Sequence, residues 1–230
     1  MRIVSLVPSL TELLIDLGLE EQVVGRTKFC IHPKDKIRSI PKIGGTKNVN
    51  FEAVARLKPD LIIANKEENT KEDVLALNDI CQVHVTEISN FDESITAIQK
   101  IGVLTNRSEE ASQLISKINS NFKSLDQFTI SNKSVCYLIW KDPLMTTGND
   151  TYIHDMLLKC GLKNVFGDQT RYPVTTTEEV LHKKVLGIVC ETLVDPHVCR
   201  INHRDVVAKP FVTRLVHDDE VELKAYTRVA

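Results

Sequence analysis

One piece of grammar occurs twice in this chain. The first copy is Arg2-Ile-Val-Ser-Leu-Val-Pro-Ser-Leu-Thr-Glu-Leu-Leu-Ile-Asp-Leu-Gly-Leu, followed by Val23-Val24-Gly25. The second is Val135-Cys-Tyr-Leu-Ile-Trp, then Gly148-Asn-Asp-Thr-Tyr-Ile-His-Asp-Met-Leu-Leu-Lys-Cys-Gly-Leu, then Asn164-Val-Phe-Gly. Each reads as strand, polar loop, amphipathic helix, Gly-Leu stop and short strand. Two copies of one α/β unit predict two similar lobes facing each other across a cleft.

The physics of the first copy is explicit. Ile3 to Val7 is a short apolar run bounded by Pro8, the pattern of a buried parallel strand. Ser9 with Glu12 three residues on reads as a capping box. Leu10, Leu13, Leu14 and Leu17 form one helical stripe, and Gly18 supplies a left-handed stop. The Pro8–Thr11 loop therefore lies at a strand C-terminus and a helix N-terminus, where open α/β sheets bind ligands. Ser9 is then either a ligand contact or a cap alone.

After Val23–Arg26 comes an irregular stretch, Thr27 to Asn50, with Pro33, Pro41 and Gly44-Gly45. Phe51 opens a helix capped by Asn50 and ended by Pro59. Asp60-Leu-Ile-Ile-Ala is the next buried strand; Lys71–Leu77 is helical and Val83–Thr86 a strand. Phe91 to Leu125 is the longest helical region, broken at Thr105-Asn-Arg-Ser with a fresh cap at Ser108. In the second lobe the helix from Thr176 and the strand Leu186–Glu191 mirror Phe51–Pro59 and Leu61–Glu67. Beyond Asp195 the mirror fails. There Val206–Val216 and Val221–Val229, around His217-Asp-Asp-Glu, predict a β-hairpin that packs incompletely. The expected organisation is an N-terminal lobe over 1–90, a connecting helical segment over 91–125, and a C-terminal lobe over 126–230 that is divergent or incomplete after about 195.

The 230 residues are 42% hydrophobic and 26% charged, enough to bury the cores of two lobes. A net charge of −2 with no basic block argues against nucleic acid. No run of about 18 apolar residues exists to span a membrane. Met1-Arg2 opens directly into a strand with no signal peptide, so the chain as written is expected in the cytoplasm, or in the periplasm if its N-terminus is incomplete. Cys30, Cys81, Cys136, Cys160, Cys190 and Cys199 form no C-x-x-C pair and read as reduced thiols, with Cys136 and Cys190 in the core. Among the histidines, His197-x-Cys199 with His203 comes nearest to a metal spacing and falls short of one. Neither a Gly-rich phosphate loop nor a G-x-S-x-G elbow is present, which favours binding over catalysis. The competing reading is a cytoplasmic α/β enzyme or ligand-handling protein using Asp150, His154 and Asp155; the first two lie four apart on one helix face.

Read together, Arg2–Leu14, Val24-Gly25, Lys42-Ile-Gly-Gly-Thr, Asn50-Phe-Glu-Ala-Val, Leu57-Lys-Pro-Asp-Leu-Ile-Ile-Ala, Tyr137-Leu-Ile-Trp-Lys-Asp-Pro, Thr147-Gly-Asn-Asp-Thr and Asn164-Val-Phe carry a resemblance. In order and spacing they resemble the helical-backbone substrate-binding proteins of ABC importers, nearest to the cobalamin-binding branch. The match covers about residues 1–191 and leaves the tail unmatched. The resemblance implies two three-layer α/β lobes with mostly parallel sheets, joined by one long helix, with the ligand in the cleft. It implies a non-catalytic monomer with no covalent cofactor, whose ligand is a corrinoid or other metal chelate. It also implies an ABC permease partner docking through one acid per lobe; by position these are Glu67 or Glu68, and Glu191. The bland reading of those acids is solvated strand-end charge.

A large planar ligand is held by apolar and aromatic faces with a few amides and hydroxyls. The first lobe offers Pro8, Ser9, Phe29, Gly44, Gly45 and Thr46, with His32 as a lesser metal-ligand candidate. Gly44-Gly45 serves either close ligand approach or a tight turn. The second lobe offers Trp140, Met145, Thr147 and Tyr172; Trp140 is either a wall of the cleft or a core aromatic.

Overall fold

The computed structural model describes residues 1–125, 133–183, 185, 187–190, 212–213 and 225–226. The chain divides into two units, one of Met1–Ile88 with Asp92–Ser120, the other of Ser89–Phe91 with the described residues from Asn121 on.

Unit one runs β1 (Ile3–Ser5), α1 (Pro8–Asp16), β2 (Val23–Arg26), α2 (Lys34–Ile37), β3 (Gly44–Gly45), β4 (Asn48–Val49), α3 (Phe51–Leu57), β5 (Leu61–Asn65), α4 (Lys71–Asn78) and β6 (Gln82–Thr86), followed by α5 (Phe91–Leu104) and α6 (Ser108–Leu125). Its sheet has the order β2-β1-β5-β6 and every pairing is parallel. The central strands read as continuous apolar runs because their residues are buried on both faces: Ile3, Val4, Ile62 and Ile63 are fully buried. Leu10, Leu13, Leu14 and Leu17 of α1, with Ile98 and Ile101 of α5, complete one continuous core. Gly18 (φ 74°) ends α1 in a Schellman motif, its N–H donating to Ile15 O while Leu19 N–H donates to Leu14 O.

Two expectations are corrected here. Ser9 is not a cap and there is no capping box. The N-cap is Val7, no side chain caps the helix, and Pro8 is its first residue. Proline lacks an N–H and has a helical φ already set, so it takes the first helical position and moves the start upstream of Ser9. The helical stretch over 91–125 is likewise two helices and not one: Asn106 is left-handed (φ 55°) and Arg107 N–H reaches back to Gly102 O. The expected break at Thr105-Asn-Arg-Ser is where the chain turns.

Unit two continues with β7 (Lys133–Lys141), β8 (Leu144–Thr146), α7 (Tyr152–Lys159), β9 (Leu162–Asn164), α8 (Thr177–His182), β10 (Gly187–Cys190), β11 (Val212–Thr213) and β12 (Ala225–Tyr226). The long strand β7 pairs in parallel with β10 and β9, and its C-terminal part pairs antiparallel with β8. Omitting β8, the β9-β7-β10 arrangement repeats β2-β1-β5. Helix α7 carries Thr151 as N-cap, its hydroxyl accepting from His154 N–H, and stops at Gly161 (φ 71°). Its described core falls into two patches, Cys136, Leu138, Phe166 and Val180 in one, Val135, Leu157 and Leu162 in the other. In the tail β11 and β12 pair antiparallel, within the two runs expected to make a hairpin. Its turn at His217, its packing, Glu191, and the sulfur and imidazoles of Cys199, His197 and His203 lie outside the described residues. Cys30, Cys81, Cys136 and Cys160 are free thiols.

Candidate functional site

In unit one the predicted residues gather at the C-terminal ends of β1, β2 and β5. Pro8 and Ser9 form the first turn of α1 and are half-buried. Beneath them Thr11 Oγ1 lies 2.8 Å from Ser5 Oγ, 2.9 Å from Val7 O and 3.1 Å from Cys30 Sγ. Thr27 Oγ1 lies 3.1 Å from the same sulfur. This buried polar knot fastens the 27–30 turn to the start of α1 and so brings Phe29 to the Pro8–Ser9 edge.

Arg26 organises the rest of the turn. It is 5% exposed, and its guanidinium donates to Ile37 O (3.0 Å), Thr27 O (3.3 Å) and Cys30 O (2.7 Å). The β3–β4 hairpin is attached by Lys28 N–H donating to Gly44 O at 2.8 Å. Gly44 has φ 110°, and a Cβ there would fall 2.4 Å from Asn48 O, so only glycine makes this turn. At Gly45 a Cβ would meet the Phe29 ring at 3.3 Å. The missing side chain lets the ring lie on the hairpin, and Phe29 remains 51% exposed. The Gly-Gly pair therefore serves both readings, Gly44 the turn and Gly45 the close approach.

The third edge is the turn after β5. Asn65 N–H donates to Asn69 Oδ1, Glu67 N–H donates to Asn65 Oδ1, and Asn69 Nδ2 donates to Thr46 O. Asn65 Nδ2 also reaches Thr86, and Lys66 pairs with Glu87. Thr46 is thus buried and held by its carbonyl, while Glu67 and Glu68 stand exposed on a rigid turn. His32 is half-buried, and no group of three or more metal-ligating side chains occurs among the described residues. Elsewhere in unit one a cavity of about 300 Å³ opens between β6 (His84, Thr86), with Glu87 just after it, and α5 (Glu93, Thr96, Lys100). It contains none of the predicted residues.

In unit two Trp140 is 48% exposed and pairs across β7–β8 with Met145, which in turn bridges to Val174, 61% exposed. Paired residues share a sheet face, so the three form an apolar stripe. The Trp140 indole donates to Asp142 O at 3.0 Å. Trp140 is therefore a surface aromatic and not a core one. Thr147 is fully buried, its carbonyl accepting from Asn164 Nδ2 at 2.8 Å. Tyr172 is half-buried with the Arg171 guanidinium 5.4 Å from its ring. Cys136, inside the sheet, has its thiol pushed up to about 12 by burial, which leaves it a packing residue without nucleophilic character.

The triad of the enzyme reading does not assemble. Asp150 accepts from Arg171 N–H, His154 Nδ1 lies 3.2 Å from Asn164 Nδ2, and Asp155 accepts from Phe91 N–H at 2.7 Å. Each group has a separate structural partner, as expected for polar residues that fasten loops and helix ends. Sequence reasoning missed Arg26, Lys28, Asn65 and Asn69. The two asparagines carried a signal, since Asn residues in a turn after a buried strand bond their own backbone.

The periplasmic binding protein family model matches residues 3–198. The chain is 35% identical over 190 residues to an uncharacterized ABC transporter substrate-binding lipoprotein, YvrC, of Bacillus subtilis (strain 168), covering 78% of this chain and 60% of that protein. It is 26% identical over 193 residues to a vitamin B12-binding protein of Yersinia pestis (strain Pestoides F), covering 82% and 68%. Among solved structures, the periplasmic heme-binding protein RhuT from Roseiflexus sp. RS-1 shares the fold, with a TM-score of 0.74 at 19% identity over 84% of this chain and 76% of that one. With its family model matching residues 3–198, the chain belongs to the periplasmic binding protein family.

Proposed function

We propose that this protein is a non-catalytic substrate-binding protein serving ABC-type import, and that its ligand is a corrinoid or another metal chelate. The observation that carries this reading is Phe29, a half-exposed ring laid on Gly45 beside Pro8–Ser9 at the C-terminal ends of three parallel strands. An aromatic kept out of the core at that edge is a surface for a flat apolar ligand. Ser9, Gly44 and Thr46 shape its surroundings, and Trp140, Met145 and Tyr172 offer a second apolar surface in unit two, supported from beneath by Thr147. The name of the relative from Yersinia pestis supports a corrinoid, and that of the solved heme-binding neighbour keeps the wider class of metal chelates open.

In this reading residues 1–90 and 126–230 are the two binding lobes and 91–125 is the connector. Glu67 and Glu68, exposed on the braced turn after β5, serve permease docking, and Glu191 is their counterpart. The name of the lipoprotein relative favours action outside the cytoplasm, the second of the two locations expected from the sequence. No described helix is long and apolar enough to cross a membrane.

The test is titration of the full chain with cyanocobalamin, haemin and ferric siderophores, read by Trp140 fluorescence and by melting temperature. At a hundredfold excess over Kd a bound ligand adds about 2.7 kcal/mol of stability. At least one chelate should raise the melting temperature accordingly and quench the tryptophan. If no chelate moves either signal, the binding reading is wrong.

A further inference from the structure

The cavity between β6 and α5 lies at the edge of the described sheet of unit one, because β6 ends the order β2-β1-β5-β6. Lys66 N–H donates to Thr86 O, so Thr86 turns its main-chain groups toward β5. In a strand that direction alternates residue by residue, and Val85 turns its N–H and C=O outward from the edge. Side chains alternate too: those of His84 and Thr86 share one face, and that of Val85 takes the other. Val85 therefore borders the cavity through its main chain. Across from it Glu93, Thr96, Ala97 and Lys100 follow at i, i+3, i+4 and i+7, one stripe of α5.

The charges along this groove are sorted by sign. Glu87, just after the strand, and Glu93, in the first turn of the helix, lie at one end. His84 and Lys100 lie at the other, about 10 Å away at the helical rise of about 1.5 Å per residue. Burial first, and then the Lys100 ammonium, hold the His84 imidazole below its ordinary value, so Lys100 acts directly on that ring. Glu87 is tied to Lys66, whereas Lys100 has no ion pair among the described residues. We infer that the groove takes a short extended peptide, antiparallel to β6, with its C-terminal carboxylate at Lys100 and His84. Val85 exchanges its N–H and C=O with the middle residue, adding a strand to the sheet. At about 3.4 Å per residue a tripeptide spans about 10 Å, the length between the two charged ends. Its ammonium then comes to the glutamate end, and the reversed orientation sets like charges together. The cavity of about 300 Å³ is at the small end of ligand sites, which suits small side chains. This site is separate from the chelate reading and stands or falls without it.

Calorimetric titration of the full chain, with the His84 ring followed by proton NMR, tests the site. The probes are trialanine, trialanine amide (the same backbone without the carboxylate) and acetate. Trialanine should shift the His84 resonances and bind at least about tenfold tighter than the amide, the share of one charge-assisted hydrogen bond. It should exceed acetate by about tenfold as well, since acetate forms none of the strand pairing. Lys100→Gln should abolish the preference for trialanine over its amide, while Lys117→Gln on α6 should keep the affinity within about twofold. Val85→Pro removes the outward N–H where an edge strand accepts proline, and should weaken trialanine about fivefold with the fold intact. Should that variant unfold, Lys100→Gln still decides. Equal binding of the amide overturns the carboxylate end, and equal binding of acetate reduces the groove to an anion site without a peptide. An unchanged preference in Lys100→Gln, or neither heat nor a His84 shift at about 10 mM trialanine, tenfold above a weak millimolar Kd, overturns the site outright.

Discussion

The first helix of each unit begins in a different way. In unit two Thr151 caps α7 with its hydroxyl, and in unit one Pro8 sits inside the first turn of α1 with no side-chain cap. The two helices then share an apolar stripe and a glycine stop, and each precedes a short parallel strand. What the repeat fixes is therefore the packing side of the unit, while the end facing the loops is free to vary. The inserted pieces differ as well. Unit one adds the β3–β4 hairpin and unit two adds β8, and each lies against an exposed aromatic from another segment, Phe29 on Gly45 of the hairpin and Trp140 of β7 paired with Met145 of β8.

The core offers the widest contrast. Leu14 lies fully buried in a continuous core, so Leu14→Ala should destabilise unit one by about 2–5 kcal/mol in urea unfolding. Leu138 is equally buried but belongs to a small patch, and Leu138→Ala should fall at the low end of that range, about 2 kcal/mol. Equal losses would mean that core continuity carries no energetic weight here. The hairpin peculiar to unit one comes next. Gly44→Ala places a side chain at φ 110° against Asn48 O and should cost about 2 kcal/mol in a thermal melt.

The helix starts give a smaller and sharper comparison. Thr151→Ala should cost about 1 kcal/mol, the usual value of an N-cap, whereas Ser9→Ala should stay within about 0.5 kcal/mol. A Ser9 loss as large as that of Thr151 would restore the capping box and contradict the Pro8 start. The smallest expected effect belongs to His84 on the edge strand of unit one. Burial, and secondarily Lys100, hold its imidazole below the ordinary value of 6.5. The unfolded chain therefore takes up the proton first, and stability is lost as pH falls from neutral through that ordinary value. His84→Gln should flatten the fall in melting temperature between pH 7 and 5.5; an unchanged slope would assign the acid sensitivity to other groups.

Most strands and helices were legible because their signals are local. Asn50, Thr176 and Gly18 mark helix ends by their own chemistry, and Leu61–Ala64 is a buried strand by composition alone. The Ser9 cap was misread because two valid start signals overlapped, and the proline φ preference prevailed over the Ser–Glu spacing. In the site, Phe29 and Gly45 were legible separately as an out-of-place aromatic and a permissive backbone. That the ring lies on the hairpin depends on Lys28 N–H reaching Gly44 O, a pairing with no side-chain signature. Arg26 was invisible for the same reason: its partners are carbonyls of three residues, and any sequence supplies carbonyls.

The buried guanidinium of Arg26 has one more consequence. Three carbonyls, those of Thr27, Cys30 and the last residue of α2, converge on one flat fork of donors. A planar donor sets the angles among its acceptors, so the loop takes its shape from a small rigid template and not from a ladder of repeating bonds. On the binding reading proposed above, such a loop has its shape before any ligand arrives, and little ordering entropy is left to oppose capture.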